Sequence, residues 1–241
     1  MWKLFFEFMY FLTYFIPSKK LRSWVRTEKL FDYKTKLNAL KSNCPELNFK
    51  TIRLAKGGGS LAFIIENKTV FKVRKHNDEA TIIFPRFERE KRITDALRPY
   101  CPIMIPQIEL VRIGKFIFYK TVFIPGKILI NMPFNKIIKN QNKIAKQLAN
   151  VIFNIFNSNP KEIADLAGNN VNKPGHGWIN GDMCSNILVN PKTMDITGII
   201  DWEWARYGLL KDEFFGIYRV RKKMTKTKIP ELVEQEYLKL L

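Results

Sequence analysis

Asp182, Asn186 and Asp201 are the side chains whose types and spacing could do chemistry. They lie in Asn180-Gly181-Asp182-Met183-Cys184-Ser185-Asn186-Ile187-Leu188 and in Gly198-Ile199-Ile200-Asp201-Trp202-Glu203. One loop carries an Asp and an Asn, and a second Asp lies beyond an apolar hairpin. Phosphoryl transfer asks for that set: a carboxylate to orient or deprotonate a hydroxyl, and hard oxygen ligands to hold Mg²⁺ against phosphates. Asp182 is the candidate catalytic carboxylate and Asn186 and Asp201 are the candidate metal ligands. Glu203 could add a further ligand or an acceptor contact.

Two upstream features fit the same chemistry. Gly57-Gly58-Gly59-Ser60 lies between two strand patterns. Glycines let backbone amides approach phosphates, and Ser60 offers a hydroxyl donor. Gly58, Gly59 and Ser60 are the candidate phosphate contacts, although three glycines at a hairpin also read as an ordinary turn. No Gly-Lys-Ser/Thr comes after them, so this is not a Walker motif. One strand later, Lys72 stands in Val70-Phe71-Lys72-Val73-Arg74-Lys75, where alternation sets it opposite Phe71 and Val73. An ammonium there could clamp the α- and β-phosphates, held by a carboxylate on the next helix. Glu90 is the candidate for that carboxylate and Glu88 is its rival.

The positioning elements are read from periodicity. Residues 20–45 read as a basic helical stretch. Alternation marks strands at 49–54, 61–65 and 70–73, with two more at Val111 and from Phe116 to Phe123. A charged helix over 79–98 is inserted among them. Pro125-Gly126 breaks the pattern. From Phe134 to Phe156, apolar residues at Ile137, Ile138, Ile144, Leu148, Ile152 and Phe156 keep helical spacing and predict one long buried helix. Ile187–Val189 and Ile196–Ile200 read as a short hairpin, with helices over the rest. The expected organisation is an N-terminal apolar and basic helical segment at 1–45, a strand-rich lobe at 46–124 and a mostly helical lobe at 125–241.

Composition bounds the partners. The 241 residues include 41 Lys plus Arg against 22 Asp plus Glu, a formal charge of +19. That balance attracts polyanions such as nucleotide phosphates or anionic lipid. Basic residues are spread through the chain and no nucleic-acid recognition motif appears, so nucleic acid is not an expected partner. Cys44, Cys101 and Cys184 lack metal spacing, and two histidines cannot complete a zinc site with them. A reducing compartment is the simple inference. The opening MWKLFFEFMYFLTYFI is short for a spanning helix and precedes Lys19, Lys20, Arg22 and Arg26. An aromatic helix beside basic residues suits an anionic membrane surface, contacted through residues 1–26. A helix packed on the protein body is the competing reading.

Taken together, these segments resemble the aminoglycoside phosphotransferase and choline kinase branch of kinase-like folds. The match runs over about residues 50–220 and is strongest at 180–208. There, Asp201-Trp202-Glu203-Trp204-Ala205-Arg206-Tyr207-Gly208 is close to the run that begins with the metal-binding Asp in choline kinases. Lys68 to Lys75 resembles the equivalent strand of antibiotic phosphotransferases. Phe123-Ile124-Pro125-Gly126 resembles the segment that ends their N-lobe, so Phe123 and Ile124 are implied to hydrogen-bond adenine or guanine through the backbone. The resemblance implies an α+β fold with two lobes, a small antiparallel-sheet N-lobe and a mostly helical C-lobe. It also implies transfer of the γ-phosphate of ATP or GTP, with Mg²⁺, to a hydroxyl on a small molecule or an envelope glycan. The expected location is cytoplasmic and peripheral on the inner face of the membrane. The opening segment is also similar to those of bacterial surface-polysaccharide enzymes.

Two departures stand out. Asn180 occupies the place of the family's usual His. Three residues separate Asp182 from Asn186 where the family has four. Either the loop rearranges, or Ser185 or Asn186 coordinates in an altered way, or the chain is a catalytically silent kinase-like protein that binds a nucleotide or a partner. The segment after Tyr207 is short, which implies a shallow acceptor site or one borrowed from a membrane or partner. Trp202, Trp204, Phe214, Phe215 and Tyr218 could box a choline-like cation or simply form core.

Overall fold

The computed structural model describes residues 8–9, 11–18, 21–22, 25, 32–56, 59–75, 80–170, 173–219 and 226–241, without the side chains of 56, 80–81, 169–170 and 215–219. Gly57, Gly58, Lys19, Lys20, Arg26, the first seven residues and the side chains of Phe215 and Tyr218 lie outside that description. The chain forms two compact units, one of Met1–Pro85 with Glu109–Phe123, the other of Arg86–Ile108 with Ile124–Leu241. The stretch Arg86–Ile108, expected with the strand-rich lobe, groups with the second unit.

The first unit is an antiparallel sheet of β1 (Ile52–Lys56), β2 (Ser60–Ile65), β3 (Thr69–Arg74), β4 (Glu109–Ile113) and β5 (Phe116–Val122), in the order β1-β2-β3-β5-β4. Period-2 alternation decides which face is buried. Phe63 and Phe71 are paired across β2 and β3, and both enter a core with Leu61, Val73 and Phe118. Helix α1 (Tyr33–Asn43) closes that core with Leu37 and Leu40, and Tyr33 stacks on Phe63. Lys36 of α1 is buried and donates to the carbonyl of Lys75 at 2.9 Å. Before α1, Phe8, Phe11, Tyr14 and Phe15 are exposed. Among the described residues no helix is long and apolar enough to cross a membrane.

Helix α2 (Ala80–Leu97) lies between β3 and β4 in sequence. In the second unit, the predicted long helix is two: α3 (Phe134–Lys139) and α4 (Gln141–Phe156), interrupted at Asn140. Ile144, Leu148, Val151, Ile152 and Ile155 of α4 face the core. They pack with Trp178, Ile187, Ile199 and Trp202 from the site-bearing strands, and with Val233 and Tyr237 of the C-terminal helix α6 (Ile229–Leu238). Strands β6 (Lys127–Ile128), β8 (Ile187–Val189) and β9 (Ile196–Ile199) form one small sheet, and β7 (His176–Ile179) pairs with β10 (Arg206–Leu209) in another. Residues 206–209, expected to be helical, are thus a strand, and helix α5 (Leu210–Arg219) starts only after it. The sheet and helix content makes the fold α+β.

Candidate active site

The loop from Asn180 to Asn186 joins β7 to β8 through a single 3-10 turn, Met183–Ser185. Gly181 opens the loop at φ +77, a left-handed conformation that glycine adopts without Cβ strain. A Cβ at that position would fall 2.9 Å from the carbonyl oxygen of Trp204. The loop then folds on Asp182. Ser185 Oγ donates to Asp182 Oδ1 at 3.0 Å. Asn186 Nδ2 donates to the Asp182 carbonyl at 2.8 Å and to Oδ2 at 3.2 Å. The carboxylate is therefore held at both oxygens. Asn186 is buried. Its amide nitrogen is turned to Asp182, so a metal ion could meet it only through Oδ1.

The hairpin brings Asp201 to this loop. Ile200 donates its N–H to the carbonyl of Asn186 at 3.1 Å, and the next residue is Asp201, half-buried at φ +62. Asn186 and Ile200 are thus joined by one backbone hydrogen bond, and Asp201 is one residue further along. Among the described residues no cluster of three or more His, Cys, Asp or Glu forms. The oxygen pair suits Mg²⁺, which characteristically takes one or two protein oxygens and completes its shell with phosphates and water.

Three anchors position this loop and the turn after it; of these only Glu90 is singled out by the sequence, and there as a partner for Lys72. Glu213 of α5 is only 1% exposed and accepts the N–H of Gly181 at 2.8 Å. Burial pushes its carboxyl up from the ordinary 4.5 to about 7, against the pull of the Gly181 amide and the Arg206 guanidinium. Glu90 is buried, and its Oε1 accepts the Trp202 N–H at 3.0 Å. Arg89, next along α2, donates through Nη2 to the Ala205 carbonyl at 2.6 Å and through Nη1 to the Glu203 carbonyl at 3.5 Å. Successive helix residues therefore grip the turn after Asp201. Glu88, the rival to Glu90, is only half-buried. Asn180 is buried, and its Oδ1 accepts the Asp182 N–H at 3.1 Å, so it supports the loop despite replacing a His.

The upstream candidates sit in the first unit. Lys72 pairs with Ala62 on one side and Tyr119 on the other, with its Nζ 5.1 Å from the Tyr119 ring centroid. Its neighbours Phe71 and Val73 face the opposite, buried side. Ser60 is buried and stands opposite Arg74. Gly59 accepts the Lys75 N–H at 3.0 Å. The Arg74 guanidinium would lie 3.1 Å from a Cβ on Gly59, a cation near this turn that alternation alone did not single out. Phe123 donates its N–H to the Lys68 carbonyl at 2.7 Å. Ile124 is buried in the second unit, with its side chain against Gly198.

No family model matches the chain, and no curated protein matches it. Solved structures do. It is similar to an aminoglycoside phosphotransferase, APH(2'')-Ib, solved with ADP, at 13% identity and a TM-score of 0.65, over 83% of this chain and 81% of that one. It is similar to APH(2'')-IIa in a ternary complex with streptomycin and ATP, at 13% identity and 0.63, over 83% and 81%. It is also similar to the macrolide 2'-phosphotransferase MphH of Brachybacterium faecium, at 13% identity and 0.59, over 84% and 82%. At these identities the likeness is one of fold: the chain has the two-lobed, kinase-like α+β fold of the aminoglycoside and macrolide phosphotransferases.

Proposed function

We propose that the chain moves the γ-phosphate of ATP or GTP to a hydroxyl of a small molecule or an envelope glycan, with Mg²⁺ required. The observation that carries this reading is the loop in which Ser185 and Asn186 hold the two oxygens of Asp182, with Asp201 one residue beyond the backbone bond from Ile200 to Asn186. Asp182 orients the acceptor hydroxyl and takes its proton on a carboxylate oxygen as the new O–P bond forms and the bond from the γ-phosphorus to the β–γ bridging oxygen breaks, releasing ADP or GDP. Phosphoryl transfer needs little base strength, so an ordinary carboxylate suffices. Lys72 clamps the α- and β-phosphates, and Gly58, Gly59 and Ser60 cover them. The backbone at Phe123 and Ile124 holds the base. Asn186 and Asp201 would hold Mg²⁺, which would supply charge neutralisation for the phosphates.

One observation favours a second reading, a silent kinase-like protein. The loop is a residue short, and Asp182 already receives two hydrogen bonds from within it. Titration calorimetry with ATP and GTP, with and without Mg²⁺, separates the two. The enzyme reading expects metal-dependent binding that Asp201→Ala removes and Lys72→Ala weakens, together with slow γ-phosphate release. Binding indifferent to Mg²⁺, with no release, favours the silent protein.

The chain's proposed location is the inner face of the cytoplasmic membrane. The exposed rings of Phe8, Phe11, Tyr14 and Phe15, beside Lys19, Lys20, Arg22 and Arg26 in the sequence, support it.

A further inference from the structure

Trp202 and Trp204 are two residues apart and have opposite fates. Trp202 is fully buried and donates its indole N–H to the Ile199 carbonyl at 3.0 Å. Trp204 is 65% exposed. An exposed indole is costly to present to water, yet this one stands on a turn fixed from several sides. Ala205 donates its N–H to the Trp202 carbonyl at 3.0 Å and closes the turn. Arg89 holds the carbonyls of Glu203 and Ala205, and Glu90 holds the Trp202 N–H. The Trp204 carbonyl lies against Gly181, the residue before Asp182. A ring exposed by slack would not need such a mount.

We propose that Trp204 is a stacking platform for the acceptor, and that the acceptor there is an uncharged pyranose ring of a glycan. This rests on the phosphotransferase reading and names its substrate class. A pyranose presents an apolar face of axial C–H groups beside its hydroxyls, which matches an exposed indole on a turn whose backbone touches the residue before Asp182. A quaternary ammonium asks for a cage of several rings. Among the described residues Trp204 has no ring partner, so a cage does not form. A polycationic acceptor is disfavoured by the net charge of +19.

Saturation-transfer difference NMR on the full chain tests this with methyl α-D-glucopyranoside, methyl α-D-mannopyranoside, choline and kanamycin as separate probes. The expected result is transfer to ring C–H protons of a pyranoside, reduced about tenfold in Trp204→Ala and largely retained in Trp204→Phe. Parallel circular dichroism should show both variants folded, because the side chain is exposed. Choline or kanamycin giving the stronger Trp204-dependent signal overturns the proposal, as does pyranoside transfer that ignores Trp204→Ala or is absent. The readout needs no turnover. Pyranoside contact in a chain that binds no nucleotide would sink the phosphotransferase reading and leave the platform; nucleotide binding without pyranoside contact would do the reverse.

Discussion

Glu213→Gln should stabilise the protein at alkaline pH and leave it nearly unchanged at acid pH. Glu213 is fully buried with its pKa raised from 4.5 to about 7, and burial is the leading cause. Asp182 pushes the same way, while the amides of Gly181 and Asn180 and the Arg206 guanidinium oppose. A raised carboxyl pKa means that between about pH 4.5 and 7 the folded chain holds a proton the unfolded chain has lost. Stability therefore falls as pH rises through that window and stays lowered above it. At about 1.4 kcal/mol per pH unit, the displacement amounts to about 3 kcal/mol at pH 8. Glutamine keeps the shape and an oxygen for the Gly181 N–H but cannot ionise. Urea unfolding of both proteins from pH 5 to pH 8.5 measures the difference, in which the other titrating groups largely cancel. The gap should open from near zero to about 3 kcal/mol in favour of the variant. A gap independent of pH, or a variant less stable at pH 8, would refute the reasoning.

Other perturbations bear on separate parts of the molecule. Asp182→Asn should abolish phosphoryl transfer and spare nucleotide affinity, because that carboxylate acts on the acceptor; a variant as active as the parent across many acceptors would remove Asp182 from its role. Gly177→Ala should lower stability by about 3 kcal/mol in thermal or urea unfolding, because its Cβ would meet the Phe156 carbonyl and ring. Deleting Met1 to Ile16 should leave a folded body that binds anionic vesicles more weakly. The remaining attraction of the parent should fade with salt as the Debye length drops from about 10 Å at 0.1 M to about 3 Å at 1 M. Aggregation of the truncated chain, with a parent that ignores vesicles, would make the segment part of the folded core instead.

Much of this architecture is legible along the chain because period 2 and period 3.6 are local signals. The five strands of the first sheet and the helix between β3 and β4 all announce themselves so. The break at Asn140 does not, since Ile137 and Ile144 are seven apart and keep helical phase across it. Nor does β10, whose four residues are a strand only because β7 lies opposite. The same limit applies at the site. Asp182, Asn186 and Asp201 could be picked out by type and spacing, and the structure brings them onto one loop and the neighbouring strand end. Glu213 and Arg89 could not, because each acts on a backbone group 32 or more residues away. A glutamate in the run Leu210-Lys211-Asp212-Glu213-Phe214 reads in sequence as an ordinary charged position on an amphipathic helix.

The backbone of Asp201 bears on how such a protein would drift. At φ +62 it occupies a region that L-residues enter at a cost of about 1 kcal/mol, that asparagine tolerates about as well as aspartate, and that glycine enters freely. Replacement by glycine would relieve local strain while deleting a proposed ligand. Replacement by asparagine would keep the shape and one oxygen but discard the charge. At this position backbone comfort and the proposed chemistry therefore pull in opposite directions, and a substitution that stabilises the turn would do so at the expense of the carboxylate.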